Sequence, residues 1–196
     1  MGDDDLVAIG ADLEPATLIN AYSHGLFPMP MNGKEIGWWS PATRGIIPID
    51  GLQISRSLQK HLKRFSIRVD SCFAQVMKAC GDSRRPHGWI NVDFIRAYSY
   101  LHAMSWAHSV EVFSGDDLVG GVYGVRVGKL FAGESMFHTQ TDASKAALVA
   151  LVALLDATGI ALFDVQWTTP HLESMGAIDI PRSDYLALLA QAQNRD

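Results

Sequence analysis

Phe131-Ala132-Gly133-Glu134-Ser135-Met136-Phe137 is the stretch on which the fold turns. It ends a run of two-residue alternation and sets one carboxylate among bulky apolar side chains. On a regular strand Phe131, Gly133, Ser135 and Phe137 share one face, and Ala132, Glu134 and Met136 share the other. An acid on a face with Ala and Met is either paired or chemically employed, because an unpaired buried carboxylate is costly. The alternative is an edge-strand Glu with its head in water. Phe163-Asp164-Val165-Gln166 has the same character, polar groups inside an apolar run. Two such strands suggest a cleft between them.

The neighbours of the heptamer supply the rest of a sheet. Ser109 to Phe113 reads as a strand, Ser114-Gly115-Asp116-Asp117 as a turn, and Leu118 to Arg126 as the return strand. Lys129 to Phe137 follows, then an apolar helix from Lys145 to Thr158 capped by Asp142 or Ser144, and a strand from Ala161 to Gln166. A turn of helix at His171 to Met175 and a last helix from Asp184 to Gln193 complete this part. Upstream, helices are predicted from about Pro15 to Gly25, from Arg56 to Arg64 with Ser55 as cap, over Phe73 to Cys80, and from Asn91 to Met104. Gly25 to Pro41 reads as an irregular loop whose Phe27, Trp38 and Trp39 must pack on something. Strands followed by helix, strand and helix give an α+β class with a mixed sheet and flanking helices.

At 196 residues, 48% hydrophobic and 19% charged, the chain suits one domain with a small appendage. The boundaries expected are a small N-terminal domain over 1–50 and a catalytic domain over 51–196. The acidic opening Met1-Gly2-Asp3-Asp4-Asp5 is unlike a secretory leader, and the longest apolar run, Ala146 to Leu155, is too short for a membrane span. These point to a cytoplasmic protein that does not engage membranes. Cys72 and Cys80 would lie roughly 12 Å apart along a helix and so do not pair. No Cys/His spacing resembles a metal site, and neither metal nor cofactor is expected. Net charge is −5, which argues against nucleic acid; its distribution argues the other way. Between Asp50 and Asp70 there is no acid, while Arg56, Lys60, Lys63 and Arg64 share one helix face. Such a stripe suits a phosphate backbone, or is a solvated face. Arg84 and Arg85 add a second basic pair.

The element order resembles the acetyltransferase (GNAT) fold, whose sheet splays to make a cleft. The segment before the main helix, His138-Thr139-Gln140-Thr141-Asp142-Ala143, lacks the glycines that cradle a pyrophosphate there and carries an acid, which counts against coenzyme A. Six motifs in order carry a closer resemblance. They are Gly25-Leu26-Phe27-Pro28, Trp38-Trp39-Ser40-Pro41, Ile54-Ser55-Arg56-Ser57, Gly120-Gly121-Val122-Tyr123-Gly124, Gly133-Glu134-Ser135-Met136-Phe137 and Ser174-Met175-Gly176-Ala177. Together they resemble the bacterial leucyl/phenylalanyl-tRNA–protein transferases over roughly residues 6 to 190. That resemblance implies a GNAT-like domain behind a small N-terminal one. It implies transfer of Leu, also Phe and less so Met, from aminoacyl-tRNA to the α-amine of proteins beginning with Arg or Lys, which marks them for degradation. It implies Asp164 and Gln166 as the catalytic pair with Glu134 beside them. It also implies Trp39, Trp89, Phe131, Gly133, Met136, Leu151 and Leu155 around the transferred side chain; separately, a monomer is expected.

The chemistry agrees with those residue types. Aminolysis of an ester needs only a weak base, because an α-amine of pKa about 7.7–8.0 is partly neutral at physiological pH. The Gln166 carbonyl can hold the amine, with Asp164 orienting the Gln166 NH2. The same pair could instead be a buried hydrogen bond that specifies the core. Gly-Glu-Ser-Met-Phe is not a Gly-x-Ser-x-Gly elbow, so direct transfer is favoured over an acyl-enzyme. The competing readings are an acyl-coenzyme A N-acyltransferase and a non-catalytic tRNA-binding module.

Overall fold

The computed structural model describes residues 5–31, 35–82, 84 and 89–193. The N-terminal third holds β1 (Leu6–Ile9), α1 (Pro15–Ser23), β2 (Phe27–Pro30), β3 (Ile36–Trp39), β4 (Thr43–Ile46), α2 (Arg56–Leu62) and β5 (Ser66–Val69). Then come α3 (Phe73–Cys80), α4 (Val92–Ala103), β6 (Ala107–Ser114), β7 (Asp117–Val127) and β8 (Leu130–His138). The chain closes with α5 (Ala143–Ala157), β9 (Leu162–Gln166), α6 (Pro170–Glu173), β10 (Ile178–Pro181) and α7 (Arg182–Gln193). Among the described residues no helix is long and apolar enough to cross a membrane.

Local chemistry accounts for the helix ends. Pro15 opens α1 where no N–H is needed. Ser55 caps α2 by accepting from the Leu58 N–H, and Asn91 caps α4 by accepting from Asp93 and Phe94. Asp142 precedes α5 with φ 67° and makes no side-chain cap; its carboxylate bonds His61 Nδ1 at 2.6 Å instead. Helix α2 stops at Leu62, so Lys63 and Arg64 belong to the turn after it.

The segment read as an irregular loop holds two of these strands, β2 and β3. β1, β3 and β2 form an antiparallel three-stranded sheet in that order. β2 carries Pro28 and Pro30 and tolerates them because it is an edge strand. β4, although within residues 1–50, belongs to a second sheet of seven strands ordered β10-β4-β9-β8-β7-β6-β5. That sheet is mixed: β8 and β9 run parallel and the other pairs antiparallel. One of its faces packs on α5, with Leu148, Leu151, Val152 and Leu155 against Val110, Val122, Phe131 and Phe163. The other face meets α1, α3, α4 and α7 through Tyr22, Met77, Tyr98 and Tyr185.

Two irregularities place the polar groups. Along β8 the pairing with β7 passes from Tyr123↔Ser135 to Gly124↔Gly133, so Glu134 is an extra residue, a β-bulge. The bulge shifts the alternation by one. Phe131 lies on the α5 face, but beyond Glu134 it is Met136 that packs there and Phe137 that faces the other core. The regular pattern expected for the heptamer is corrected on this point. On β9 the pairing with β4 slips likewise, from Ile46↔Asp164 to Gly45↔Gln166. Gln166 then takes φ 61°, a left-handed conformation uncommon outside glycine. Gly45 permits this turn: a Cβ there would sit 2.8 Å from the Thr168 backbone nitrogen. The β8–β9 pairs end at Ala132↔Asp164. Past that point the strands part.

Candidate active site

The parting of β8 and β9 opens a cleft of about 420 Å³, within the range of small-molecule sites. Gly133, Glu134 and Met136 come from one strand and Val165 and Gln166 from the other. Phe27 and Met29 of β2, Trp89, Phe163 and Trp167 make the rest of the wall mostly apolar. Phe27 meets Trp167 edge-on at 4.9 Å between centroids.

Glu134 is the polar centre. It accepts from the Tyr22 hydroxyl at 2.7 Å, from Tyr98 at 3.3 Å and from the Gln166 NH2 at 3.4 Å. Tyr22 and Tyr98 also bond each other. Glu134 is half-buried, with one edge open to the cleft. Desolvation pushes its carboxyl up to about 8; the tyrosine hydrogen bonds and Arg44 resist that rise, and the charge of Asp164 adds to it. Burial, and next the Glu134 charge, hold both tyrosine hydroxyls well above their ordinary values, so they remain donors.

Asp164 lies behind the wall, fully buried. It receives Arg44 Nε at 2.8 Å and Nη2 at 2.6 Å, the Tyr185 hydroxyl at 2.9 Å and the backbone N–H of Gln166 at 2.9 Å. Arg44 in turn donates to the Gly25 carbonyl at 3.0 Å and lies 4.7 Å and 4.4 Å from the Phe27 and Tyr185 rings. Burial opposes its charge, but the Asp164 contacts outweigh that and keep it cationic. The expectation that Asp164 orients the Gln166 NH2 is therefore corrected. Asp164 holds the Gln166 backbone in its left-handed turn, and the NH2 faces Glu134.

Of the residues expected around the transferred side chain, Trp89, Gly133 and Met136 line the cleft. Phe131, Leu151 and Leu155 do not: they lie in the core between sheet and α5. Trp39 stands outside the wall, 6.3 Å from Trp167 between centroids. Arg56, Lys60, Lys63 and Arg64 are exposed, and no salt bridge to them occurs among the described residues. Arg84 is paired with Asp82 at 2.6 Å, and Arg85 lies outside the described residues. Sequence reasoning missed Arg44, Tyr22, Tyr98, Tyr185 and Trp167. For the tyrosines a signal existed, because a buried hydroxyl needs a partner. Among the described residues no cluster of three or more His, Cys, Asp or Glu fits a metal ion. A larger groove of about 810 Å³ lies between the start of α1 and α4, away from Glu134 and Gln166.

Two family models match: "Leucyl/phenylalanyl-tRNA protein transferase" over residues 46–190, and that family's N-terminal domain over 11–42. A protein of Tolumonas auensis with the name leucyl/phenylalanyl-tRNA–protein transferase is 49% identical over 194 residues, 97% of this chain and 83% of its own. One of the same name from Cereibacter sphaeroides is 50% identical over 184 residues, 92% of this chain and 85% of its own. Among solved structures FemX aligns with a TM-score of 0.49 and 11% identity, over 76% of this chain and 64% of its own. That likeness is too distant to bear on activity. With both of the family's models matched along most of its length, the chain belongs to the leucyl/phenylalanyl-tRNA–protein transferase family.

Proposed function

We propose that this protein is an aminoacyltransferase that moves Leu, Phe and, less well, Met from aminoacyl-tRNA to the N-terminal α-amine of acceptor proteins beginning with Arg or Lys. The observation that carries the reading is the Gln166 amide, held against Glu134 at the side of an apolar cleft. The cleft takes the transferred side chain against Met136, Phe163 and Trp167. Because its NH2 is turned to Glu134, Gln166 presents its carbonyl oxygen to an N–H of the incoming amine. The amine attacks the ester carbon, the new C–N bond forms and the bond to the ribose oxygen breaks. The proton lost by nitrogen ends on that oxygen. A Glu134 carboxyl near 8 is matched to an α-amine of about 7.7–8.0, so proton exchange between them costs little. Asp164 and Arg44 are positioning residues: they fix the backbone that aims Gln166.

The basic stripe of Arg56, Lys60, Lys63 and Arg64 is the surface that tracks the tRNA backbone, bound through charge. The modified acceptor is then degraded, and the enzyme works as a cytoplasmic monomer. The test is transfer of radiolabelled Leu from leucyl-tRNA to a peptide beginning with Arg, beside one beginning with Asp. Label on the Arg peptide alone is the expected result. Label on neither peptide, or transfer from leucyl-coenzyme A instead, would overturn the reading.

A further inference from the structure

The groove of about 810 Å³ between the start of α1 and α4 takes no part in the transfer chemistry set out above. Its floor is apolar, with Leu13 just before α1, Ile36 of β3 and Phe94 of α4. Tyr100 of α4 stands in its wall with 58% of its surface exposed. Along the rim lie Asp12, Glu14, Glu35 and Asp93, all exposed. The cation among these lining residues, Arg96, is paired with Asp93 at 3.1 Å. No salt bridge to Asp12, Glu14 or Glu35 occurs among the described residues. The groove shares a wall with the cleft. Pro28 and Pro30 share one face of β2, and Pro28 lines the cleft while Pro30 lines the groove. Trp89 of the cleft likewise meets Phe94 of the groove edge-on, at 5.4 Å between centroids.

We infer that this groove seats the acceptor polypeptide beyond its first residue, and that it selects a segment rich in Lys and Arg. This rests on the aminoacyl transfer proposed above. β2 spans the way from cleft to groove in four residues, Phe27–Pro30, about 13 Å at ~3.3 Å each. An extended acceptor with its α-amine at Gln166, running beside β2, brings roughly its third to sixth residues over the apolar floor. Three acids without salt-bridge partners then face it, which suits basic side chains and repels acidic ones. The long stems of Lys and Arg lie on the floor while their charged heads reach the rim. The donor comes from the other side. α2, which carries the basic stripe, packs through Leu58 on the α5 face of the sheet, whereas α1 and α4 cover the opposite face. An acidic rim also repels phosphate, so the groove is not a second RNA surface.

The experiment uses three acceptors that begin with Arg: the dipeptide Arg-Gly amide, and two octapeptides carrying either Lys or Glu at positions 3 to 5. With leucyl-tRNA as donor, wild-type enzyme should show a KM about tenfold lower for the Lys octapeptide than for the Glu one, the sum of several exposed charge contacts. The ratio should shrink as salt is raised. Glu14→Lys combined with Glu35→Lys should abolish or reverse it, and Glu14→Gln combined with Glu35→Gln should leave about threefold. Both positions are exposed, so each double variant should melt within about 4 °C of wild type. Transfer to Arg-Gly amide, and the KM for leucyl-tRNA at about 0.15 M salt, should be unchanged in both. A Lys-to-Glu ratio near one in wild type, or one that survives the double charge reversal, would overturn the assignment. So would an equal loss of transfer to Arg-Gly amide, which places the effect at the chemistry. A changed KM for leucyl-tRNA would overturn it too, by making the groove an RNA surface. No transfer by wild type to any of the three acceptors would instead overturn the transferase reading, and this assignment with it.

Discussion

Replacing Asp164 by Ala tests what this carboxylate is for. Arg44 and Asp164 are both almost completely buried, and their paired hydrogen bonds are 2.8 and 2.6 Å long. Removing one member of such a pair leaves an uncompensated interior charge and costs about 3–5 kcal/mol. The Tyr185 hydroxyl and the Gln166 N–H also lose their acceptor, though losses within one network do not add. For a chain of this size about 2–4 °C accompany each kcal/mol, so Asp164→Ala should melt roughly 6–20 °C below wild type. Asp164→Asn keeps one carbonyl oxygen and the volume, and should fall between. Thermal and urea unfolding measure the loss, with transfer assayed cold enough that the variants stay folded. If Asp164→Ala melts within about 2 °C of wild type yet transfers nothing, Asp164 acts in the chemistry and the scaffold argument fails.

Gln166→Gly should fold normally, since glycine accepts the left-handed backbone at φ 61°, while transfer falls about a hundredfold; full activity would remove Gln166 from the mechanism. Glu134→Gln should gain stability relative to wild type as pH rises. The folded carboxyl, near 8, holds its proton where the unfolded one, near 4.5, has lost it, so the wild-type penalty grows between those values and is constant above them. A Tm difference between the two proteins that is flat from pH 5 to 8.5 would contradict that environment. Reversing Lys60 and Arg64 to Glu should weaken tRNA binding and lower its salt slope by about 2, read by filter binding across salt; an unchanged slope would make the stripe a solvated face.

Some of this architecture was legible in the sequence because single residues announce it. Asn91 and Ser55 mark helix starts by their side-chain chemistry, and the two-residue period after Ser109 marks the meander. The 27–46 segment was not legible. Its strands are four residues each, and Pro28 and Pro30 are tolerated only because β2 is an edge, a property of the sheet rather than of the segment. β5 is exposed throughout, so no alternation reveals it. The site was legible in its polar members, Glu134 and Gln166, and misread in its walls. The bulge at Glu134 turns Met136 across the sheet from the side that regular alternation gives it. Leu151 and Leu155 lie on a helix that is apolar almost all round, where periodicity does not say which face meets what. Arg44 carries no local signal, because its partner Asp164 lies 120 residues away in the chain.

The central claim is that the cleft between β8 and β9 holds the transferred side chain and delivers its ester carbon to Gln166. A crystal structure with the non-hydrolysable amide analogue of leucyl-adenosine tests it most directly. The leucyl side chain should pack against Met136 and Trp167, with its carbonyl carbon beside the Gln166 amide. Density for the analogue in the groove between α1 and α4, with the β8–β9 cleft empty, would contradict it.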